Sequence, residues 1–539
     1  MIIFVRFKLN FLMKKILVSL FLLLPFVLKS QILEVSDIQE GLWDSDTVLV
    51  IKDVIVPEDK SLTISKGTRV IFKDYFSITV NGSLKALGNE TDSIYFTSRD
   101  TTGFFNWKKG KGGWNGLILQ NAKDTVIMDY CHFSFGKSVN QLPTANYGGA
   151  LKIYNSTVNI SNSTFYHNLT TSKGGALYAE HSSIKITNCE VDSNFGFNEE
   201  GVYMHGAGFQ FSNCDVEMED MYFHDNYCTN CYGGGANFDS CNVYVNNAVF
   251  EDNYAVNAAG MGIQRSNDYD VKIYNCLFNN NISYHYGGAM AMATSSPLIQ
   301  NVTMTNNYTI AAGGGALQFY SEARPVFKNC IIWGNDWYDE HNSISDGSQI
   351  FVWGSDCAPE FYNSILQGGY KDVHGNSSIA VYDTVTMLDS DPMFVDIQMR
   401  DFQLQAGSPA INSGSFDTDG IPSKDLSGNP RIVDDRIDIG CYESDATSLK
   451  EINHRNINIY PNPINHSSIC EFLLRKTSVV NVKIYNQDAS LIFIKNYGKM
   501  LSGTNKIHIS DFIKSLKKNN VYLLSIESEE EKINIKFVY

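Results

Sequence analysis

Basic residues are scarce in this chain, which has 42 Lys and Arg against 58 Asp and Glu in 539 residues and a formal net charge of −16. No dense Lys/Arg run occurs in its middle, so the clustered basic face of a nucleic-acid footprint is missing, and the acidic balance also counts against broad polyanion binding. Charged residues total 19%, below the usual quarter. A long apolar run is missing too. The N-terminal stretch Ile16 to Leu28 has 13 residues, short of the roughly 20 that cross a bilayer as a helix. Lys14 and Lys15 precede it and Ser30 and Gln31 follow, which reads as a secretory signal peptide over residues 1–30 with Met13 as the natural start. No Cys stands at the cleavage point, which argues against a lipoprotein. No other segment reads as transmembrane, so none is expected after signal removal. Helical periodicity is absent from the middle of the chain.

A repeat stands there instead. Gly-rich starts at Gly148, Gly174, Gly206, Gly234, Ala259, Gly287 and Gly314 are spaced, by subtraction, 26, 32, 28, 25, 28 and 27 residues apart. An Asn closes each unit at Asn168, Asn194, Asn226, Asn253, Asn281, Asn307 and Asn335. Three residues before each Asn stand Phe165, Val191, Phe223, Phe250, Phe278, Met304 and Ile332; eight before stand Ile160, Ile186, Met218, Val245, Ile273, Ile299 and Phe327. Val158, Ile184, Val216, Val243 and Val271 lie two further back, giving the period of two of half-buried strands. One such unit cannot bury its apolar face alone, whereas stacked units bury a continuous column. The expectation is an all-β chain built on a right-handed parallel β-helix over 31–390, with an Asn ladder at matching corners whose amides bond from rung to rung. Asn also tolerates the left-handed backbone that corners require.

Eleven Cys in an exported chain invite a disulfide reading. Cys131, Cys189, Cys276 and Cys330 share one register with Ser163 and Ala248 and read as small core fillers. Cys214 and Cys241 fall in register on consecutive coils and could bridge. Cys228-x-x-Cys231 is either a local disulfide or half a metal site, with no second C-x-x-C to complete zinc coordination.

Several segments resemble known families. Trp114-Asn115-Gly116-Leu117 resembles a signature of early coils in secreted bacterial β-helix proteins. The pairing of Gly-Gly-Ala-aliphatic (148–151, 174–177, 314–317) with Phe-x-x-Asn (165–168, 223–226, 250–253) resembles the repeats of chlamydial polymorphic membrane proteins, surface β-helices implicated in adhesion. Met290 after one such turn, the permuted Gly206-Ala207-Gly208, and Met304 and Ile332 in place of Phe depart from that pattern. No autotransporter barrel follows, so the export route implied is different. Asp391-Pro392-Met393-Phe394, Ser408-Pro409-Ala410-Ile411, Asn429-Pro430-Arg431 and Asp438-Ile439-Gly440 resemble the C-terminal segment of choice-of-anchor β-helix proteins, placing an end segment at 391–443 that is expected to cover the last rung. After a polar linker at 444–456, residues 457–539 read as a small β-sandwich. With Tyr460-Pro461-Asn462-Pro463 and Ile533-Asn534-Ile535-Lys536 they resemble the type IX secretion sorting domain of the Bacteroidetes, although Ala489 and Asn520 stand where that family commonly has Gly. The resemblance implies the type IX machinery as a partner and a secreted or outer-surface location in a Gram-negative, Bacteroidetes-like cell.

Candidate chemistry is thin. Arg265 near Asp268 and Asp270 is the best basic residue for a lyase. Glu217, Glu219, Asp220 and Asp225 lie on one coil and Glu251 and Asp252 on the next, where adjacent rungs could set a glycosidase spacing of about 5 to 9.5 Å; alternation turns many of them outward, and no catalytic pair stands out. His205, His224 and His285 share no register. Asp417, Asp419 and Asp425 could ligate Ca²⁺, an optional ion since no cofactor is required. Tyr227, Tyr232, Tyr254 and Tyr284 suit sugar stacking. The expected function is an exported β-helix protein that binds a polysaccharide or a host or neighbour-cell surface without catalysis; a polysaccharide lyase or glycoside hydrolase, and a structural stalk, are the alternatives.

Overall fold

The structure, a computed structural model, describes residues 32–139, 147–197, 204–311, 313–337, 349–375, 381–415, 420–433, 436–444, 457–460, 464–466, 468–474, 477–486, 490–518, 520–528 and 532–539. The signal segment, Asp417 and Asp419, residues 445–456 of the linker, and Pro461 to Pro463 of the sorting motif lie outside the described residues. Two compact units emerge. One runs to Pro392 and resumes over Ala410–Glu443; the other comprises Met393–Pro409 and Ser444–Tyr539.

In the first unit the coils lay strands on three faces, and those of the second and third fuse into single ten-residue strands over Ser183–Asp192, Asp215–His224 and Asn242–Glu251. For the coil opening at Gly148 the strands are Leu151–Tyr154, Thr157–Ser161 and Thr164–Tyr166, which build a first, second and third face. Each pairs in parallel with its equivalent one coil on, Leu151 with Leu177, Val158 with Ile184 and Phe165 with Val191. The periodic columns run in register and inward: Val216, Met218 and Phe223 pair with Val243, Val245 and Phe250, and all six are buried. Stacked Phe223, Phe250 and Phe278 rings lie 4.7 and 4.8 Å apart, the spacing of hydrogen-bonded strands, so one side chain per rung continues the column. Single left-handed residues such as Asn155 and Asn162 turn the chain between faces, a conformation Asn adopts at little cost. The result is the expected right-handed parallel β-helix.

Two details of register differ from expectation. The starts equivalent to Gly148 are Gly233 and Ala258, not Gly234 and Ala259, because Tyr232 pairs with His205 and Asn257 and the left-handed residue follows each, with φ of 80° at Gly233 and 55° at Ala258. A run of three glycines hides that register. The left-handed residue at the closing corner is also not the ladder Asn but the one before it, as at His167, Ser193, Asp225 and Asp252.

The Asn ladder itself is continuous and buried. Nδ2 of Asn168 donates to Oδ1 of Asn194 at 3.0 Å, and the same bond links Asn194, Asn226, Asn253, Asn281, Asn307 and Asn335 in turn, ending on Gln349 Oε1 at 2.8 Å. Each Asn backbone N–H also donates to the next Oδ1, and each Nδ2 donates to a carbonyl of the preceding coil. Buried backbone groups at the corner are thereby satisfied, which is what lets the corner sit inside.

The cysteines form a further hydrogen-bonding device rather than mere filler. At one corner Cys131 N–H donates to Ser163 Oγ and Ser163 N–H to Cys189 Sγ, and each side chain donates to the carbonyl two residues before it. At another, Cys214 N–H donates to Cys241 Sγ at 3.3 Å and Cys241 N–H to Ser266 Oγ. Cys214 and Cys241 are therefore free thiols on a ladder, not a bridge. Cys228 and Cys231 form a local disulfide packed among Ala207, Ala255 and Ala259.

Trp114 is fully buried, stacked on Phe72 at 4.3 Å, and donates its indole N–H to Ser134 O. The described residues of 410–443 lie along the flank of the coils. Asn275 donates to Lys424 O, Gly440 N–H to Asn329 O, and Cys441 N–H to Thr303 Oγ1, reaching corners of three successive coils.

The second unit contains an antiparallel hairpin, Phe394–Asp396 with Asp401–Leu404. It also contains two antiparallel sheets, Ile457–Tyr460, Ile469–Leu474 and Gly503–His508 in one, and Leu491–Met500, Ser478–Tyr485, Val521–Glu527 and Lys532–Val538 in the other. Cys470, Phe472, Val480, Val482, Leu524 and Phe537 share one core, making the expected small β-sandwich.

Candidate functional site

The outer side of the first face carries three columns of side chains. Immediately before each left-handed turn stand Tyr147, Lys173, His205, Tyr232, Asn257 and Tyr286, paired rung to rung. Four residues after each turn stand Lys152, Tyr178, Gln210, Asn237, Gly262, Ala291 and Gln318. Two further on stand Tyr154, Glu180, Ser212, Asp239, Gln264, Ala293 and Tyr320. Glycine suits the turn because a Cβ built on Gly148 or Gly174 would lie about 2 Å from the carbonyl oxygen three residues on, although Ala258 holds the equivalent turn with φ 55°.

The early half of this surface is filled. Tyr147 and Tyr178 rings lie 4.4 Å apart and Lys173 Nζ sits 5.5 Å from the Tyr147 ring centre. Lys152 is buried and donates to Asn115 O and Oδ1 at 3.0 and 2.9 Å, and burial pulls its ammonium down to about 7.

In the late half the second column shrinks to Gly262 and Ala291. A trough of about 260 Å³ opens there, lined by Tyr232, Asn257, Tyr286, Gln318, Tyr320 and Trp353. Asn257 Oδ1 and Gln318 Oε1 are buried without a hydrogen-bond donor, as is Asn237 Oδ1 beside them. The orientation of Asn237 is fixed by its neighbours: Gln210 Nε2 donates to Phe211 O at 2.7 Å, and Asn237 Nδ2 donates to Gln210 Oε1 at 2.8 Å. Its oxygen therefore faces the floor, where a Cβ on Gly262 would strike both it and the Tyr232 ring. Burial, then the neighbouring Tyr320, raises the Tyr232 phenol well above its ordinary range, so it stays neutral.

Arg265 edges this surface with a left-handed backbone, φ 49°. Its guanidinium pairs with Asp239, one coil earlier, and not with Asp268 or Asp270; Asp270 pairs with Lys272 at 2.7 Å. Stacking brings Asp239 alongside Gln264, a neighbour that proximity in sequence does not show. Burial first, then the charge of Lys173, lowers the His205 imidazole to about 4, so it is neutral at physiological pH.

The other candidates are dispersed. Glu217 pairs with Lys185 at 2.6 Å in an open groove of about 510 Å³ on the second face, and Asp220 accepts from Asn247. Glu251 accepts from Tyr222 and Asn279, and Asp252 from Asn280. His224 sits on the third face and gathers Asp225, Glu190 and Asp192 at 2.8, 3.0 and 3.4 Å. Burial opposes its charge, yet hydrogen bonds to Asp225 and Glu190 raise its pKa above the ordinary value. Among the described residues, Asp192, His224 and Asp225 are the one group of three such side chains that could offer converging metal-ligand atoms. His205 and His285 do not join it. Asp425 is fully buried and accepts from the Ser427, Asn429 and Glu443 backbone N–H groups, which anchors the loop around it.

Of the four tyrosines expected to stack on sugars, Tyr227 and Tyr254 stack on each other at 4.8 Å and so cover a face of each ring. Tyr284 is exposed, and Tyr232 alone lines the trough. The column Tyr147 to Tyr286 was missed by reading from the glycine onward; one residue upstream of each turn would have found it.

A family model described as the right-handed beta helix region matches residues 92–278, 148–332 and 247–385, windows that run together over the coils bearing these columns. No curated protein matches the chain. Stacked parallel coils, register and family match agree: the chain belongs to the right-handed beta helix region family.

Proposed function

We propose that this is an exported β-helix protein, secreted or held at the outer surface, that binds a glycan along its first face without turning it over. The observation that carries the reading is the trough itself, with aromatic walls and buried amide oxygens that lack donors; such polar atoms remain unpaired at a cost unless a ligand or water meets them. The columns continue past the trough over successive coils, which suits a polymer. The signal-like N-terminus and the C-terminal β-sandwich support delivery by the type IX secretion system.

The test is affinity electrophoresis of the full chain through gels containing neutral or acidic polysaccharides. Retardation that falls on Trp353→Ala supports the reading, and unretarded migration in every gel contradicts it. The route is tested separately by deleting residues 457–539, after which the protein is expected to stay inside the outer membrane. An enzyme is the second reading, favoured by the Arg265–Asp239 pair at the edge of the same surface, since an arginine beside bound sugar could serve a lyase.

A further inference from the structure

The trough has a chemical polarity as well as a shape. Its six lining residues, Tyr232, Asn257, Tyr286, Gln318, Tyr320 and Trp353, carry no formal charge. Three buried side-chain atoms of the lining lack a hydrogen-bond partner: Asn257 Oδ1, on a residue 8% exposed, Gln318 Oε1, on a residue 3% exposed, and the Tyr232 hydroxyl, which can donate as well as accept. Asn237 Oδ1 lies beside the floor, held in the acceptor orientation by the Asn237–Gln210–Phe211 chain of bonds.

A buried acceptor is satisfied only by a donor. A carboxylate or sulfate brings further acceptors and a charge that would have to leave water without a counter-ion among these residues, which is costly. A hydroxyl group donates. The volume, about 260 Å³, falls under the range of roughly 300 to 1,000 Å³ typical of pockets for drug-sized ligands, which suits a single six-membered ring. Trp353 is 60% exposed at the rim, so an indole face is available to the apolar side of such a ring.

We infer that the trough takes one uncharged, hydroxyl-bearing sugar ring of a neutral glycan, which lies against Trp353 and donates hydrogen bonds to Asn257 and Gln318. This rests on the glycan-binding reading and narrows it to neutral sugars at this one place.

The experiment is calorimetric titration of the full chain with neutral hexose oligomers, α- and β-linked, alongside the same oligomers oxidised at C6 to carboxylates and the same oligomers O-methylated. The expected result is binding of a neutral oligomer, at least tenfold weaker binding of its oxidised and methylated forms, at least tenfold loss in Trp353→Ala and Gln318→Leu, and retention in Trp353→Phe. Trp353 is exposed, so its replacement leaves the coils intact, and an unchanged thermal midpoint checks this. Oxidised oligomers binding as tightly as neutral ones, with the same dependence on Trp353, would overturn the neutral-sugar assignment and leave glycan binding standing. Neutral binding indifferent to Trp353 and Gln318 would place the sugar elsewhere and likewise overturn the inference alone. If no oligomer and no polysaccharide binds, the inference and the reading beneath it both fall.

Discussion

Asn226 donates from Nδ2 to Oδ1 of Asn253 at 2.9 Å while accepting at its own Oδ1 from the backbone and side chain of Asn194. Its Nδ2 also donates to Val191 O. Four hydrogen bonds thus pass through one buried amide in the middle of the solenoid. Asn226→Ala would leave the Asn194 backbone N–H without its acceptor and take one bond each from Asn194 Nδ2, Val191 O and Asn253 Oδ1, the last still met by the backbone N–H of residue 226, at about 1 to 3 kcal/mol for each group that finds no water. The expected loss is about 3 kcal/mol or more in a urea titration. A loss below about 1 kcal/mol would mean that the ladder is incidental to stability.

Lys137 is buried, and its ammonium donates to the carbonyl oxygens of Gly103, Asn106 and Lys111 at 3.4, 3.0 and 2.9 Å, 5.7 Å from the Phe104 ring centre. One cation thus organises the loop of residues 101–113. Lys137→Met keeps the stem and removes the donors, so the loop should open locally. Trypsin cleavage at Lys108, Lys109 and Lys111 is expected to rise roughly tenfold or more, with the coils still folded by circular dichroism. Unchanged cleavage would refute this role.

Glu443 is buried 3.4 Å from Arg431, and burial pushes its carboxyl up to about 8 against the opposing charge of that guanidinium. The folded state therefore holds a proton that the unfolded chain releases near 4.5. Stability from this group is fully present below about pH 4.5 and is lost as pH rises through about 8, with a slope of at most about 1.4 kcal/mol per pH unit. Glu443→Gln should flatten the thermal midpoint between pH 5 and 8. An identical pH slope in the variant would show that another group sets it.

Much of the fold was legible because a solenoid repeats its physics. The Asn column, the Phe/Val/Met columns and the strand alternation recur at each rung, and each recurrence checks the others. Gly233 and Ala258 slipped by one because neighbouring glycines and alanines are interchangeable until the backbone assigns the left-handed position. The trough was not legible, since its lining residues, Tyr232, Asn257, Tyr286, Gln318, Tyr320 and Trp353, come from successive coils and meet only when these stack. Arg265 was read beside Asp268 and Asp270, whereas its partner Asp239 lies 26 residues away in sequence and one rung away in space. The cysteines behaved like Ser163 and Ser266 because a thiol and a hydroxyl both reach the carbonyl two residues back.

The central claim is binding without turnover. Its most direct test is incubation of the full chain with neutral and acidic polysaccharides, with and without Ca²⁺, reading unsaturated-sugar absorbance and reducing ends while intact polymer is recovered on the immobilised protein. Retained polymer of unchanged length, with no absorbance and no new ends, is the predicted result. New ends or unsaturated products that disappear in Arg265→Ala would contradict the account and make the Arg265–Asp239 edge an active site.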